Sequence, residues 1–270
     1  MNCELCSFRN PKGTATGIIL KDNKLLLLKR NEEPLKGLWD LPGGYMQEGE
    51  APEATIKREI MEELHVVPTD ITFIRTESGV AFWKDTTYPI ISFFYLINIA
   101  DQEIKLNEEN STYEWIDLMK LPSDFVAWDS NQTAVQWLQE KLTFDLERIK
   151  ELVKQLDPNA IVKEQSLYKA VLNGFVSRKY VDGELIGMGW IFPRQTALRH
   201  QAVVEDVIVD EKFRGQGYGK AIMLELHDWA KSKGVEVVEL TTNPKRIAAN
   251  GLYQDLGYKL HETNHYLFNL

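Results

Sequence analysis

Cysteine is almost absent from this chain. Only Cys3 and Cys6 occur in 270 residues, so no disulfide framework can hold the fold together. Their spacing, Cys3-Glu4-Leu5-Cys6, supplies half of the thiols that a tetrahedral zinc ribbon needs. Two readings stay open: reduced thiols in a loose terminal segment, or a partial metal site completed by His65 or by another chain. Long apolar runs are missing as well. Runs such as Leu25–Leu28 and Pro89–Ile91 fall far short of the roughly 20 residues that cross a bilayer. The first residues include Glu4 and no apolar core, which argues against a signal peptide and for a cytoplasmic protein. In that setting the sequons at Asn110 and Asn131 read as chance. Positive charge is in deficit: 31 Lys and Arg against 40 Asp and Glu leave a formal net charge of −9. That balance disfavours broad contact with a nucleic-acid polymer or an anionic membrane. Small phosphorylated ligands remain allowed, because a local cluster or a metal can hold them. There is no internal repeat and no low-complexity tract.

What is present suffices for two globular domains: 270 residues, 44% of them hydrophobic, exceed the size at which one core is usual. We divide the chain into 1–142, with 1–13 as the cysteine-bearing segment, and 143–270. The pattern predicts strands at Thr14–Leu20 and Lys24–Arg30, the latter apolar on both faces. Further strands are expected at Ile71–Thr76, Gly79–Trp83, Ile90–Asn98 and Tyr113–Ile116, followed by an amphipathic helix over Ser130–Leu142. In the second half helices are expected at Phe144–Leu156 and Ser166–Leu172. A hairpin is expected around Asp182-Gly183 and a strand at Ala202–Val209. A glycine loop then opens a helix reaching Lys233. A strand at Val235–Thr241, a helix at Lys245–Leu256 and closing strands in Tyr258–Leu270 complete an α/β pattern.

Two stretches carry chemistry. The first is a helix over Pro52–Leu64, with proline suited to its first turn. Glu59, Glu62 and Glu63 fall at i, i+3 and i+4 and so stack on one face. Like charges repel there, and a hard divalent cation would turn repulsion into attraction. A solvated acidic face is the other reading of that spacing alone. Ile56, Ile60 and Leu64 form an apolar stripe beside it, so one side can pack while the other meets ligand. Gly37–Gly44 precedes the helix as a glycine-bearing turn, and Arg58 lies among the carboxylates. The second stretch is Arg214-Gly215-Gln216-Gly217-Tyr218-Gly219-Lys220, at a strand-to-helix junction where backbone N–H groups can receive a pyrophosphate. A dinucleotide fold is disfavoured: Glu239 lies about twenty residues on, but the loop comes late in the chain.

Gly44, Glu50, Arg58, Glu59, Ile60, Glu62, Glu63 and Val66 resemble the Nudix box, G-x5-E-x7-R-E-U-x-E-E-x-G-U, and the preceding Leu38-Trp39-Asp40-Leu41-Pro42-Gly43-Gly44 fits the same family. The resemblance covers roughly Thr14–Leu142. It implies an α/β/α sandwich and hydrolysis, with Mg²⁺ or Mn²⁺, of a nucleoside diphosphate linked to another moiety. By the same resemblance Glu59, Glu62 and Glu63 are metal ligands, joined by the Gly44 carbonyl. Arg58 pairs with a neighbouring glutamate, with Glu50 as the expected partner. A general base is needed: Glu59 is one candidate, and Glu108-Glu109, outside the box, supplies another, with Glu109 taken forward. One position departs: His65 stands where the box has a glycine that ends the helix at positive φ. Histidine tolerates that conformation better than most residues, so a modest stability cost is expected. Trp39, Phe82, Trp83 and Tyr88 are candidates to stack a base, and Lys29, Arg30 and Lys36 to meet phosphate; core packing and solvated charge are their plainer readings.

The second stretch resembles the acetyl-CoA motif of the GNAT acetyltransferases, R/Q-x-x-G-x-G/A, on Arg214, Gly217 and Gly219. Val204–Val209 before it, and Asn243, Asn250, Leu252, Tyr253, Leu256, Gly257 and Tyr258 after it, support the match over about Phe144–Leu270. The resemblance implies a mixed-sheet α/β domain and acetyl-CoA as co-substrate. The backbone of Val207, Ile208 and Val209 then binds the pantetheine arm, and Arg214, Gly215, Gln216, Gly217, Tyr218, Gly219 and Lys220 cradle the pyrophosphate. Asn243 and Asn250 line the CoA groove, and Tyr253 protonates the leaving thiolate. Glu205 deprotonates the acceptor amine or is a structural strand carboxylate. No first strand of that family is evident, so this domain is abbreviated or borrows an edge.

The chain therefore reads as a bifunctional enzyme acting on a small nucleotide-diphosphate substrate, and on acetyl-CoA with an amine acceptor. A homodimer is left open. Two other readings are a nucleotide sensor that binds without turnover and regulates the transferase, and a hydrolase whose second half only binds CoA.

Overall fold

The computed structural model describes residues 10–142, 145–264, 266 and 268. Cys3 and Cys6 lie outside the described residues, as do Thr143 and Phe144 at the expected start of the second domain. The chain forms two compact units: residues up to 146 together with 161–173, and residues 147–160 together with 174–270. In chain order the elements begin with β1 (Lys12–Lys21), β2 (Lys24–Arg30), β3 (Trp39–Asp40), β4 (Gly43–Tyr45), α1 (Pro52–Leu64), β5 (Asp70–Trp83), β6 (Thr86–Asn98), β7 (Asn110–Asp117) and α2 (Asp129–Lys141). Then follow α3 (Leu146–Leu156), α4 (Glu164–Asn173), β8 (Phe175–Val181), β9 (Glu184–Gln195), β10 (His200–Val209), α5 (Tyr218–Ser232), β11 (Val237–Leu240) and α6 (Ile247–Asp255). Both units combine helices with a mixed sheet, giving an α/β fold.

The first unit is a seven-stranded sheet ordered β3-β2-β1-β6-β5, with β4 added to β1 and β7 to β2. β1 and β6 run parallel over Lys12–Ile19 and Ile90–Ile97. Four consecutive residues of β2, Leu25–Leu28, are buried, as a strand covered on both faces requires. Asp22 and Asn23 turn the chain from β1 to β2, both with positive φ, the conformation a tight hairpin needs. α1 lays Ile56, Ile60 and Leu64 on a core that includes Ala15, Ile19, Tyr95 and Ile97. The sequence predicts two strands, Ile71–Thr76 and Gly79–Trp83; the structure has one, β5, laddered to β6 along its length. Gly79 is not a break. A Cβ there would meet Asp129 Oδ1 at 2.5 Å, so the glycine lets the start of α2 approach the strand. α4 also belongs to this unit. Its fully buried Tyr168 accepts a hydrogen bond from Asn23 N (2.9 Å) and sits against Glu164, while Gln165 Nε2 donates to Leu20 O (2.9 Å) and Lys169 pairs with Asp70 (2.6 Å).

The second unit is a four-stranded sheet, β11-β10-β9-β8, antiparallel except for the parallel β10–β11 pair. All four strands come from its own residues, and α5 packs Ile222, Met223, Leu226 and Ala230 on Ile191, Ala202 and Val204. The Asp182-Gly183 turn joins β8 to β9 with φ of 50° and 82°. Closing strands are expected in Tyr258–Leu270; among the described residues no strand follows α6, and His265, Leu267, Asn269 and Leu270 lie outside the described residues. Alternation makes a strand only where a ladder closes on it, and β11 is laddered to β10 alone among the described residues.

Candidate functional sites

In the first unit a cavity of about 640 Å³ opens over the carboxylate face of α1 and is lined by Gly43, Gly44, Arg58, Glu59, Glu62, Glu63 and Glu109. Two glycines make the close approach possible. A Cβ on Gly44 would stand 2.4 Å from Glu59 Oε1, and one on Gly43 would meet Ala15 O at 2.3 Å. Arg58 is the hub. Its Nε and Nη2 donate to the two oxygens of Glu50 at 2.9 and 3.0 Å, and its Nη1 to Glu59 Oε1 at 2.8 Å and Glu62 Oε2 at 2.9 Å. Nη2 also reaches Tyr45 O at 3.1 Å. The forked guanidinium suits such multiple donation, where an ammonium does not. Hydrogen bonding from Arg58 holds the Glu50 carboxyl at about 2.

The three box carboxylates differ in environment. Glu62 is half exposed at 56%. Glu59 is pushed up by burial against the pull of Arg58. Glu63 is buried, and its oxygens accept from Gly43 N (2.7 Å) and Asn110 Nδ2 (3.2 Å). Burial nevertheless lifts it to about 8. Among the described residues no three His, Cys, Asp or Glu side chains converge as a ready-made cation cage. The donor set still fits a hard cation: Glu59, Glu62 and Glu63 line one cavity with oxygen donors, and a positive charge beside Glu63 relieves a carboxyl that burial disfavours as an anion. Glu109 lines the cavity and raises Glu59 through its charge, whereas Glu108 does not line it. His65 adopts the left-handed conformation of the missing glycine, φ 54°, and its Nδ1–H donates to Lys105 O at 2.7 Å.

The rest of the lining combines Arg30, Phe82, Trp83 and Tyr88, candidates from the sequence, with a node around Asp40 that the sequence did not mark. Buried Asp40 accepts from Arg30 Nη1 (2.9 Å), Trp128 Nε1 (3.0 Å), Asn131 Nδ2 (2.7 Å) and Leu41 N (2.9 Å). Trp128 lies at φ 66° just before α2, a costly conformation for a bulky residue. Its ring lies 5.6 Å from that of Phe82, and Arg30 sits 5.4 Å over it. Phe82, Trp83 and Tyr88 line the cavity, and Tyr45 and Tyr88 share a hydrogen bond of 2.8 Å. Trp39 is buried, stacked on Phe125 and approached by Lys29 at 5.7 Å, outside the cavity lining. Arg30 lines the cavity; Lys29 and Lys36 do not.

In the second unit β10 meets β11 only from Gln201 to Val204. Beyond Val204 no described strand is laddered to it on that side, and a bulge between Glu205 and Ile208 interrupts its pairing with β9. Val207, Ile208 and Val209 thus border an open edge of backbone. Next come Arg214, whose Nε donates to Val209 O at 3.0 Å, and Gly215 and Gly217 at φ 76° and 89°. Gly217 immediately precedes α5, so the first-turn N–H groups from Tyr218, Gly219 and Lys220 have no partner within the helix. Gln216 Nε2 donates to Lys212 O at 3.4 Å, and Tyr218 meets Phe213 edge-on. A Cβ on Gly219 would press on Leu252 at 3.3 Å, which brings α6 close to the loop. Asn243 and Asn250 meet in one turn: Asn250 Nδ2 donates to Asn243 O (3.1 Å) and Arg246 O (2.9 Å), and Lys245 N donates to Asn243 Oδ1 (2.9 Å). Tyr253, on α6, has its hydroxyl pushed up by burial and its ring edge-on to Tyr258. Glu205 is exposed on β10 opposite Trp190. Next to it Asp206, at φ 46° and raised by burial, and the hydrogen-bonded pair His227–Tyr258 (2.7 Å) carried no motif that would have marked them.

Comparison with known proteins finds one family match in each half of the chain. Residues 11–138 match the model of the NUDIX domain, and residues 137–258 match that of the Acetyltransferase (GNAT) family. An ADP-ribose pyrophosphatase of Methanocaldococcus jannaschii is 31% identical over 134 residues, covering 50% of this chain and 77% of the relative. A nucleoside triphosphatase NudI of Escherichia coli is 33% identical over 134 residues, covering 46% and 92%. Among solved structures are the NUDIX domain of Shewanella oneidensis NrtR complexed with ADP ribose and a putative acetyltransferase from Agrobacterium tumefaciens. The first is 24% identical, covers 53% and 95% of the two chains and has a TM-score of 0.42; the second is 22% identical, covers 46% and 94% and has a TM-score of 0.41. The chain belongs to the Nudix pyrophosphohydrolase family through its first half and carries a GNAT acetyltransferase domain in its second.

Proposed function

We propose that this is a bifunctional enzyme: a divalent-metal-dependent hydrolase of a nucleoside diphosphate linked to another moiety, and an acetyltransferase from acetyl-CoA to an amine. The observation that carries the first activity is Arg58 gathering Glu50, Glu59 and Glu62 beside buried Glu63 on one cavity wall. Mg²⁺ or Mn²⁺, held by Glu59, Glu62, Glu63 and the Gly44 carbonyl, supplies charge neutralisation on the non-bridging phosphate oxygens and a more acidic water. Glu109 accepts the proton of the attacking water at its carboxylate. The water oxygen bonds to phosphorus and the bridging P–O bond breaks. Arg58 keeps the carboxylates from turning away as the charge shifts. The aromatic wall of Phe82 and Trp128 faces the base, and Arg30 adds a cation beside it. That arrangement suits a purine nucleoside diphosphate; the Methanocaldococcus relative is named for ADP-ribose.

For the second activity, the loop Arg214–Lys220 and the first turn of α5 receive the CoA pyrophosphate. The open backbone of Val207–Val209 takes the pantetheine arm, with Asn243 and Asn250 bracing the far side of the groove. The amine nitrogen bonds to the acetyl carbon, the C–S bond breaks and Tyr253 gives its proton to the thiolate. Glu205 removes the proton of the amine, directly or through water. The test is a panel of nucleoside-diphosphate derivatives, including ADP-ribose, with Mg²⁺ or with EDTA. Products that appear only with metal support the reading. Tight nucleotide binding without products would instead make the first half a sensor.

A further inference from the structure

The corner that delivers the chain from β10 into the glycine loop is held by a helix. Asp210, buried at 3% exposure, ends β10 and opens a single turn of 3-10 helix over Glu211–Phe213. Its carboxylate accepts from Arg148 Nη2 at 2.6 Å, from Gln155 Nε2 at 3.1 Å and from Lys212 N at 2.9 Å. Gln155 Oε1 in turn accepts from Glu211 N at 3.0 Å. Arg148 also donates from Nε to Leu185 O at 2.9 Å and pairs with Glu184 and Glu151, each at 2.9 Å. Arg148 and Gln155 lie seven residues apart, two turns of α3, and so share one face. From the other side Asp210 N donates to Ile186 O (2.8 Å), and Phe213 N to Asp210 O (2.9 Å). The C-terminal end of α3 is tied as well: Leu156 O accepts from Arg246 Nη2 at 3.1 Å, one residue before α6 begins.

Nothing in the pyrophosphate loop itself explains this investment. Gly215 and Gly217 give it positive φ but no rigidity, and among the described residues Arg214 is tied back to Val209 O and Glu211. We propose that Arg148 and Gln155 are positioning residues for acetyl-CoA: they fix Asp210–Phe213, and thereby aim the N–H groups of Gly215–Lys220 at the pyrophosphate before it arrives. This rests on the reading that the loop receives that group. A loop ordered in advance loses less freedom when ligand binds, which raises affinity without any new contact.

Gln155→Leu is the direct probe, because it removes both Gln155 hydrogen bonds without leaving a charge buried. Acetyl-CoA affinity of the full chain is measured by calorimetry in EDTA, beside hydrogen exchange of the free protein, melting temperature and metal-dependent hydrolysis. Two lost hydrogen bonds correspond to about a tenfold weaker affinity. Exchange rises in residues 211–217 and not in the core turns of α5, hydrolysis stays unchanged, and melting temperature falls only by the few degrees that two lost hydrogen bonds imply. Arg148→Lys, which keeps the cation but not the fork, weakens affinity in the same direction. Gly217→Val, which strains the loop directly, separates the two readings. If Gln155→Leu leaves affinity and local exchange unchanged while Gly217→Val lowers affinity, the positioning role is wrong and the loop reading stands. If neither variant affects affinity, both are wrong. A uniform rise in exchange across the second unit would make the contact merely structural and overturn the proposal.

Discussion

Glu59, Glu62 and Glu63 share one helix face but not one environment. Glu62 is exposed, Glu59 is partly neutralised by Arg58, and Glu63 is buried against Gly43 N and Asn110. We expect Glu62→Gln to lower hydrolysis by about 100-fold, through loss of charge at the cation rather than loss of fold, since the side chain is half solvated. Steady-state rates with Mg²⁺ beside a melting curve check this; wild-type turnover would remove Glu62 from the site. Arg58→Lys should be damaging too, because one ammonium cannot serve Glu50, Glu59 and Glu62 together. Tyr253→Phe should slow acetyl transfer by about 100-fold and leave acetyl-CoA affinity unchanged, as expected for loss of an acid and not of a contact. Equal transfer by wild type and variant would exclude Tyr253 as the acid. Glu59, Glu62 and Glu63 were legible as a cluster because their spacing is local: about one turn of α1 brings them to one face. The Asp40 node was not. Trp128 and Asn131 reach Asp40 from 88 and 91 positions away, and only the folded sheet makes that juxtaposition.

Among the elements, α1 followed its sequence over its whole length, from Pro52 at the first turn to His65 at positive φ. Apolar spacing and a helix-compatible start agree there, so local and tertiary preferences do not compete. β5 shows the opposite case. The gap expected between Thr76 and Gly79 is bridged by one continuous strand, and Gly79 serves a close approach from Asp129, to whose carboxylate Val80 N donates at 3.3 Å. α4 was legible as a helix but not by partner: nothing in Glu164–Asn173 signals that Tyr168 would reach Asn23. Tyr168→Phe removes the nearer acceptor of Asn23 N and leaves it Glu164 Oε1 at 3.3 Å, and it also removes the hydroxyl's own bonds to Glu164 and Asn23; it should destabilise the first unit by about 1 kcal/mol, read by urea unfolding. An unchanged midpoint would show that water or Glu164 replaces the hydroxyl. A pH effect belongs to α3. Burial pushes Asp210 up, but the hydrogen bonds from Lys212 N, Arg148 and Gln155 and the Arg148 charge outweigh it and hold the carboxyl below its ordinary value. A carboxyl with a depressed folded pKa stabilises above its unfolded value, near 3.9, and that stability is lost as pH falls through the folded pKa. Asp210→Asn should therefore flatten the fall in stability of the second unit below about pH 4. An equally steep fall in the variant would place the acid sensitivity elsewhere.

At the scale of the molecule, the proposed function gives each unit a site for a pyrophosphate, by different physics: carboxylates that would hold cations in one, backbone N–H groups at a helix N-terminus in the other. The sequence shows both stretches because each is contiguous. It does not show that residues 161–173 join the first unit while 147–160 join the second, since helical pattern carries no address. Nor does the −9 charge prevent anion binding, because both sites act locally. Hydrolysis at the first site is the central claim. Its most direct test is mass spectrometry of the chain and of Glu62→Gln incubated with ADP-ribose and other nucleoside-diphosphate derivatives, with Mg²⁺, in ¹⁸O-water. The wild type should release a nucleoside monophosphate and a second phosphorylated product, one of the two carrying a single ¹⁸O, and Glu62→Gln should release about 100-fold less. Recovery of every substrate intact from the wild type, with nucleotide bound, would contradict it.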